Sequence, residues 1–499
     1  MIYGMEVLPI RVEADISNGL PVFNIVGYAS GQVREAQDRV RTALKNNGIQ
    51  LPPKRITVNL APSDIRKQGS GFDLPVAAAV MAAAGYLDRK ILNDCLVVGE
   101  LSLNGEVRSV NGILPRIIHA RETGIGMVVI PYSCLEEASL IKDIRVIGVR
   151  DLGETVCYLT DPDAYRPPAD GVPPKPVLRS SSVDFSEILG QESGRRAAEI
   201  AVSGFHNLLM TGPPGSGKTM LARRLPTIMP EMSFEEQLEL TRIYSIAGLL
   251  QPGDPLIRDR PFRSPHNTCT PQALTGGGRN PSPGEMTLAH RGVLFLDEMP
   301  EFSRSTLEVL RQPLEDRTIC IARQAGTFRF PANFMLAAAM NPCPCGYWPS
   351  QKCKCSPGDI NRYVNRISQP LLDRIDLCVD IPPVRFKKMI RPGRQESSAE
   401  IRLRTERVRA VQQERFRQRT IHFNGEMQPE DIRRYCALTA DGEVLLEKAC
   451  DAFSFSARSC HKILKVSRTI ADMDGSDSIL SSHLEEALSF RSYEKKPLI

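Results

Sequence analysis

The sequence predicts a multidomain α/β protein, with an N-terminal α+β layer, a central parallel sheet flanked by helices, and an all-α C-terminal region. Three observations carry this. The apolar run Leu208, Leu209, Met210 breaks into a glycine-rich loop and then a helix-compatible stretch, MLARRL. A second apolar run, GVLFLDE (292–298), closes on two acids, as a buried parallel strand does when it delivers polar groups to the C-terminal edge of a sheet. Period-two segments recur in the N-terminal part, whereas helical periodicity runs from Pro429 to Arg491.

At 499 residues and 42% hydrophobic, the chain is long enough for several separate cores. A formal charge of +5 permits an anionic partner without requiring one. Thirteen cysteines, no N-terminal apolar signal and no apolar run approaching the ~18 residues of a membrane span point to a reducing cytoplasm, not a disulfide framework.

In the N-terminal part, Glu6 to Asp15 and PVFNIVG (21–27) read as strands, and Ser30 to Asn47 has helical spacing. RITVNL (55–60) is a third strand, followed by the loop GSGFDLP and an alanine-rich helix, Val76 to Ala84, that must pack closely. GELSLNGEVR (99–108) is a hairpin turning at Asn104-Gly105, ahead of a helix from Leu114 to Thr123 and the strand MVVIP. These segments resemble the Lon-protease-like domain, of the ribosomal S5 domain 2-like fold. An active site of that type needs a serine and the lysine that activates it. The resemblance puts Gly71 at the serine position and Leu114 at the lysine position. Ser70 is one residue away, but no lysine lies between Lys90 and Lys142. A structural or nucleic-acid-binding module is therefore expected, not a peptidase. Relatives carry an additional N-terminal strand, so either the edge of the fold is altered or the start lies upstream.

The proline-rich, aperiodic stretch from Asp161 reads as a linker. Beyond it, Asn207 to Thr219 fits G-x-x-x-x-G-K-[ST] between a strand and a helix. Glycines there let backbone N–H groups turn around phosphate oxygens at the positive end of a helix. Gly212, Pro213, Pro214, Gly215, Ser216, Gly217, Lys218 and Thr219 are thus the expected ATP cradle, with Lys218 on the β- and γ-phosphates and the Thr219 hydroxyl on Mg²⁺. Asp297 would position Mg²⁺, and Glu298 would polarise the attacking water. FMLAAAM (334–340) ends in Asn341, a polar amide at a strand tip. PLLDRID (370–376) exposes Arg374 after a short helix, and Arg458 opens a later one.

RPFRSPHNTCTPQALTGGGRNPSPGEMTLAHRGVLFLDEMPEFSRSTLEVLRQPLED, AAAMNPCPCG and LLDRIDLCVDI together resemble the magnesium-chelatase-like AAA+ ATPases of the YifB/ComM family, over nearly the full chain. The resemblance implies a Lon-like domain (1–160), a linker (161–183), an AAA+ core (184–385), a basic linker helix (386–420) and a helical lid (421–499). It implies Asn341 as sensor 1, Arg374 as an arginine finger entering a neighbour's site, Arg458 as sensor 2, and Ile188 and Leu189 beside the adenine. It also implies a hexameric ring that moves on single-stranded or branched DNA and drives branch migration in recombination. The rival readings are a motor that remodels a protein complex, as in magnesium chelatase, and a Lon-like peptidase.

Arg260 to Gly278 is irregular and resembles the family's helix-2 insert. Thr318 to Phe330 alternates as a hairpin with Ala325-Gly326 at its tip and Arg323 and Arg329 on its arms. It is either a pore hairpin gripping DNA phosphates or an ordinary solvated one. Cys343, Cys345, Cys353 and Cys355, spaced C-x-C-x₇-C-x-C, either enclose Zn²⁺ or remain reduced loop thiols. Arg385 to Arg419 holds twelve Lys or Arg against four Glu, and is either a solvated linking helix or a DNA contact.

Overall fold

The computed structural model describes residues 1–167, 183–251, 253–278, 281–323, 326–384, 393–453 and 455–491. Ala325 and residues 385–392 lie outside them, as does most of the expected linker.

The N-terminal part carries two three-stranded sheets. In one, Arg55–Ala61 lies between antiparallel Arg11–Ser17 and parallel Phe23–Val26. In the other, Met127–Pro131 lies between parallel Cys95–Val97 and Arg145–Val149. The helix expected from Ser30 to Asn47 is broken at Glu35, giving Gly31–Arg34 and Ala36–Asn46. The alanine-rich helix Asp73–Ala83 is buried on nearly all sides, which its small side chains permit.

The central sheet is five-stranded and wholly parallel, in the spatial order Phe262–Arg263, Val293–Leu296, Met335–Met340, Leu208–Thr211, Leu377–Asp380. The stretch expected to be irregular from Arg260 onward thus begins with an edge strand of this sheet. Strand alternation sends successive side chains to opposite faces. Leu208, Met210, Val293, Phe295, Met335, Ala337 and Ala339 enter one core, shared with the C-terminal helices. Leu209, Leu294, Leu296, Leu336, Ala338 and Met340 enter a second, shared with Ile319, Ile321, Phe328 and Phe330 of the hairpin. The lid and the hairpin are therefore on opposite faces of one sheet.

Four helices form the C-terminal unit: Pro429–Tyr435, Ala440–Phe453, Ala457–Met473 and Ser481–Ser489. The basic helix before them, Ser398–Arg415, packs one side against the core and leaves the other exposed, with Leu403, Arg407 and Val411 on the exposed side. It buries Ile401, Thr405, Val408, Arg409 and Gln412. Three of its five arginines meet acids from other elements: Arg404 donates to Glu199 (2.6 Å), Arg409 to both oxygens of buried Glu236 (2.9 Å each) and Arg415 to Asp472 (2.5 and 2.6 Å). Among the described residues, no helix is long and apolar enough to cross a membrane.

The N-terminal part is latched to the core. Gly112 N donates to Ser245 O (2.9 Å), Glu137 accepts from Leu114 N (2.8 Å) and from the Ser245 hydroxyl, and Glu136 accepts from Gly253 N (3.0 Å). The Tyr3 ring packs on Phe328 of the hairpin, with centroids 4.4 Å apart.

Candidate functional site

The loop after Leu208–Thr211 sits at the C-terminal edge of the sheet, between the ends of Met335–Met340 and the edge strand Leu377–Asp380. Gly212 N donates to Met340 O (3.2 Å), and Ile381 N donates to Thr211 O (2.7 Å). A Cβ at Gly212 would stand 2.2 Å from the Ile381 carbonyl oxygen, so only glycine fits. Gly215 and Gly217 have φ of 74° and 93°, the left-handed backbone that turns the loop into the helix Lys218–Ile228.

The Lys218 ammonium is buried and contacts Gly212 O (2.6 Å), Pro213 O (3.0 Å) and Asn341 Oδ1 (3.2 Å). Burial lowers its pKa, offset by Asp297 and Glu298. Thr219 Oγ1 donates to Asp297 Oδ2 (2.8 Å). Glu298 is exposed in the left-handed region (φ 51°), its N–H on Asp297 Oδ1 (3.0 Å). Lys218, Thr219, Asp297, Glu298 and Asn341 are therefore gathered from three strands into one cluster. The cradle of Pro213, Pro214, Gly215, Ser216 and Gly217 has a phosphate-binding shape, and a hydroxyl beside a carboxylate is the hard-oxygen pair that suits Mg²⁺.

Arg374 and Arg458 are elsewhere. Asn207, at the opposite end of the P-loop strand, donates through Nδ2 to Arg374 O (2.8 Å). The Arg374 guanidinium donates to Pro370 O (2.6 Å) and to Glu315. Arg458 donates to the other oxygen of the same Glu315 carboxylate, although it comes from the lid. Burial raises the Glu315 pKa, but the two guanidiniums outweigh that and hold it below its ordinary value. A cleft of about 720 Å³ beside this group is lined by Arg311, Glu315, Arg323 and Arg374 among others. The expected hairpin forms, Thr318–Arg323 pairing with Gly326–Pro331, but Gly326, expected at the tip, pairs with Arg323 as part of the second strand; Arg323 and Arg329 are exposed. Arg260, by contrast, is buried, donating to Pro230 O (2.7 Å) and Arg291 O (2.6 Å).

Ile188 is buried in the core shared with Phe185 and Ala197, and Leu189 is half-buried. Sequence reasoning misses Gln191, whose Nε2 donates to Ser216 O (2.9 Å) and Pro382 O (2.5 Å), tying the P-loop to the end of the last strand. It also misses Tyr363, whose phenol burial pushes up to about 12 against the Asn341 backbone, and Glu315. No spacing marks these residues; only the fold brings Gln191 and Tyr363 to the P-loop cluster and Glu315 to the two arginines.

The four cysteines converge. Sγ–Sγ separations are 3.4 Å (Cys343–Cys345), 3.7 Å (Cys343–Cys353) and 3.6 Å (Cys345–Cys353), and all four sulfurs lie within 4.8 Å of one another. In the N-terminal part, a Cβ at Gly71 would meet Val110 and Val98, and Leu114 is fully buried in the same apolar cluster as Val98. The positions at which the Lon resemblance would put serine and lysine are thus apolar. Lys67, four residues before Gly71, is buried with its ammonium on Pro62 O.

Residues 184–389 match the family described as magnesium chelatase, subunit ChlI. Residues 12–133 match subunit ChlI of Mg-chelatase, and residues 395–491 its C-terminal family. The chain is 41% identical over 494 residues to competence protein ComM of Haemophilus influenzae, covering 98% of this chain and 96% of that protein. It is 40% identical over 495 residues to the uncharacterized protein YifB of Escherichia coli, covering 99% and 96%. A shorter likeness, 28% over 139 residues, is to Lon protease 2 of Bacillus subtilis, 27% of this chain and 24% of that one. The chain belongs to the magnesium-chelatase-like AAA+ ATPase family that includes ComM and YifB.

Proposed function

We propose that the protein is an ATP-hydrolysing ring motor that moves on single-stranded or branched DNA and drives branch migration in recombination, working in the cytoplasm. One observation carries the ring. The backbone of Arg374 is tied to Asn207, five residues before Gly212, and a strand rising about 3.3 Å per residue puts the P-loop some 16 Å away at the far end of the sheet. An arginine there serves a neighbour's nucleotide, not its own. Arg458 shares its carboxylate and serves the same neighbour.

In each site Lys218 engages the β- and γ-phosphates, Thr219 and Asp297 hold Mg²⁺, Glu298 polarises the attacking water, and Asn341 orients it. Arg374 and Arg458 of the adjacent subunit stabilise the charge that develops in the transition state. The DNA part of the reading rests on the exposed arginines Arg323 and Arg329 of the hairpin and on the likeness to a competence protein. The four-thiol cluster is read as a structural zinc site, since four cysteine sulfurs within 4.8 Å of one another supply the donor set that structural zinc takes.

The test is ATP turnover of the purified protein with and without single-stranded or branched DNA, with Lys218→Ala as control and migration of a labelled junction as a second readout. Stimulation by DNA and ATP-dependent migration are expected. Turnover indifferent to every DNA, with no junction movement, would sink the DNA-motor reading.

A further inference from the structure

No helix or strand runs between Met340 and Pro357, so the backbone there is held by little more than turns, such as Gly346 N to Cys343 O (2.9 Å) and Cys353 N to Ser350 O (2.9 Å). Sixteen residues without regular structure are costly to fix in one conformation, and a crosslink is the usual remedy. The sulfurs supply one. A Zn–S bond of about 2.3 Å in a regular tetrahedron sets neighbouring sulfurs about 3.8 Å apart. The three separations of 3.4, 3.6 and 3.7 Å fit that edge, with Cys343 buried and the others half-buried. Backbone amides point at the sulfurs as they do around metal-bound thiolates: Trp348 N donates to Cys343 Sγ (3.4 Å), and the amides of Tyr347 and Lys354 serve Cys345.

The loop also touches the nucleotide site at two points. Asn341, whose Oδ1 is 3.2 Å from Lys218 Nζ, stands two residues before the first thiol. Gly346, between the first and second thiol pairs, has φ of 81°, and a Cβ there would lie 2.5 Å from Pro214 Cδ of the P-loop and 3.8 Å from Asn341 Cγ. Any shift of the cysteine loop therefore moves either the amide that faces the lysine or the wall of the phosphate cradle.

We propose that a zinc ion held by Cys343, Cys345, Cys353 and Cys355 locks this loop so that Asn341 and Pro214 are positioned for hydrolysis, making turnover zinc-dependent although the ion touches neither nucleotide nor water. This rests on the ATPase and zinc readings above. The four cysteines and Gly346 are positioning residues. Their loss should lower kcat while ATP still binds, because Lys218 and the glycine loop keep their own contacts.

The experiment uses the full chain. Zinc per chain is measured by elemental analysis, then released by titrating the thiolates with an organomercurial, removed, and added back after the mercurial is reversed with excess thiol. ATP affinity is followed with a fluorescent nucleotide alongside kcat. Cobalt(II) in place of zinc should give a sulfur-to-cobalt charge-transfer band. We expect one zinc per chain, a fall in kcat of about 10- to 100-fold on its removal, ATP affinity held within about threefold, and recovery on zinc addition. Gly346→Ala should lower kcat with the zinc content unchanged. A protein that purifies without zinc and retains none on reconstitution overturns both the zinc site and this inference, leaving the ATPase reading intact. Stoichiometric zinc whose removal leaves kcat unaltered overturns the coupling and leaves zinc as a staple alone.

Discussion

Arg374→Ala mixed with Lys218→Ala tests the shared site most directly. Each variant alone should be nearly inert. Lys218→Ala loses the phosphate ligand in its own cradle, and Arg374→Ala loses a group worth about 10³ in rate, or about 4 kcal/mol of transition-state stabilisation. The two defects fall on opposite partners of an interface, because Arg374 is fixed at the Asn207 end of the strand whose other end carries the P-loop. In a ring of head-to-tail contacts, a site works when its own subunit has Lys218 and its neighbour has Arg374. With equal random mixing, about one interface in four meets that condition, so turnover should rise from about a thousandth of wild type to about a quarter. The assay is steady-state ATP hydrolysis of subunits mixed under conditions that allow exchange. ATP binding to Arg374→Ala alone confirms that its own cradle survives, as Glu315 keeps Arg458 as a partner. A mixture no more active than its components, with subunit exchange demonstrated by a label, would refute the argument.

Three further outcomes are expected. Arg409→Ala removes a pair in which both groups are buried, and the remaining cations, Arg260 and Arg291, stand 3.9 and 3.8 Å from Glu236. A destabilisation of about 3 kcal/mol in urea unfolding is expected, at the low end for a broken buried pair, and a loss below about 1 kcal/mol would contradict it. His206 is fully buried, with Nε2 on Thr469 Oγ1 (2.8 Å), and burial pushes its pKa down to about 4. The unfolded chain therefore takes up its proton first, so this stability is complete above pH 6.5 and is lost as pH falls through about 4. It amounts to about 3 kcal/mol, and a flatter pH dependence for His206→Gln checks it. Arg323→Ala and Arg329→Ala should weaken DNA binding evenly across sequences, each reducing the slope of log affinity against log salt by about 0.7 to 0.9; unchanged slopes would exclude the hairpin from the phosphate contacts.

Much of the site was legible because its chemistry is written locally. The P-loop needs glycines at fixed offsets before Lys218 and Thr219, and a strand that delivers Asp297 must be apolar up to its last residues. The N-terminal strands Cys95–Val97 and Arg145–Val149 were not legible. The first is three residues long, too short to show alternation, and the second, RVIGV, is a short apolar run holding a glycine, where periodicity cannot separate strand from helix. The partners of the basic helix were not legible for another reason. Charge along a sequence says nothing of what faces it, and Glu199, Glu236 and Asp472 arrive from three other elements to meet those arginines.

The sequence by itself determined the nucleotide chemistry, the order of the motifs and the apolar replacement of the serine-lysine pair, since each depends on residue type at a given spacing. Only the tertiary structure decided which groups meet. Arg374 and Arg458, 84 residues apart in sequence, end on one carboxylate, and the stretch from Cys343 to Cys355 brings four sulfurs within 4.8 Å of one another while its Gly346 lies against Pro214. Such meetings follow from how the sheet, lid and loop close on their cores, which is a property of packing between distant segments and leaves no local pattern to read.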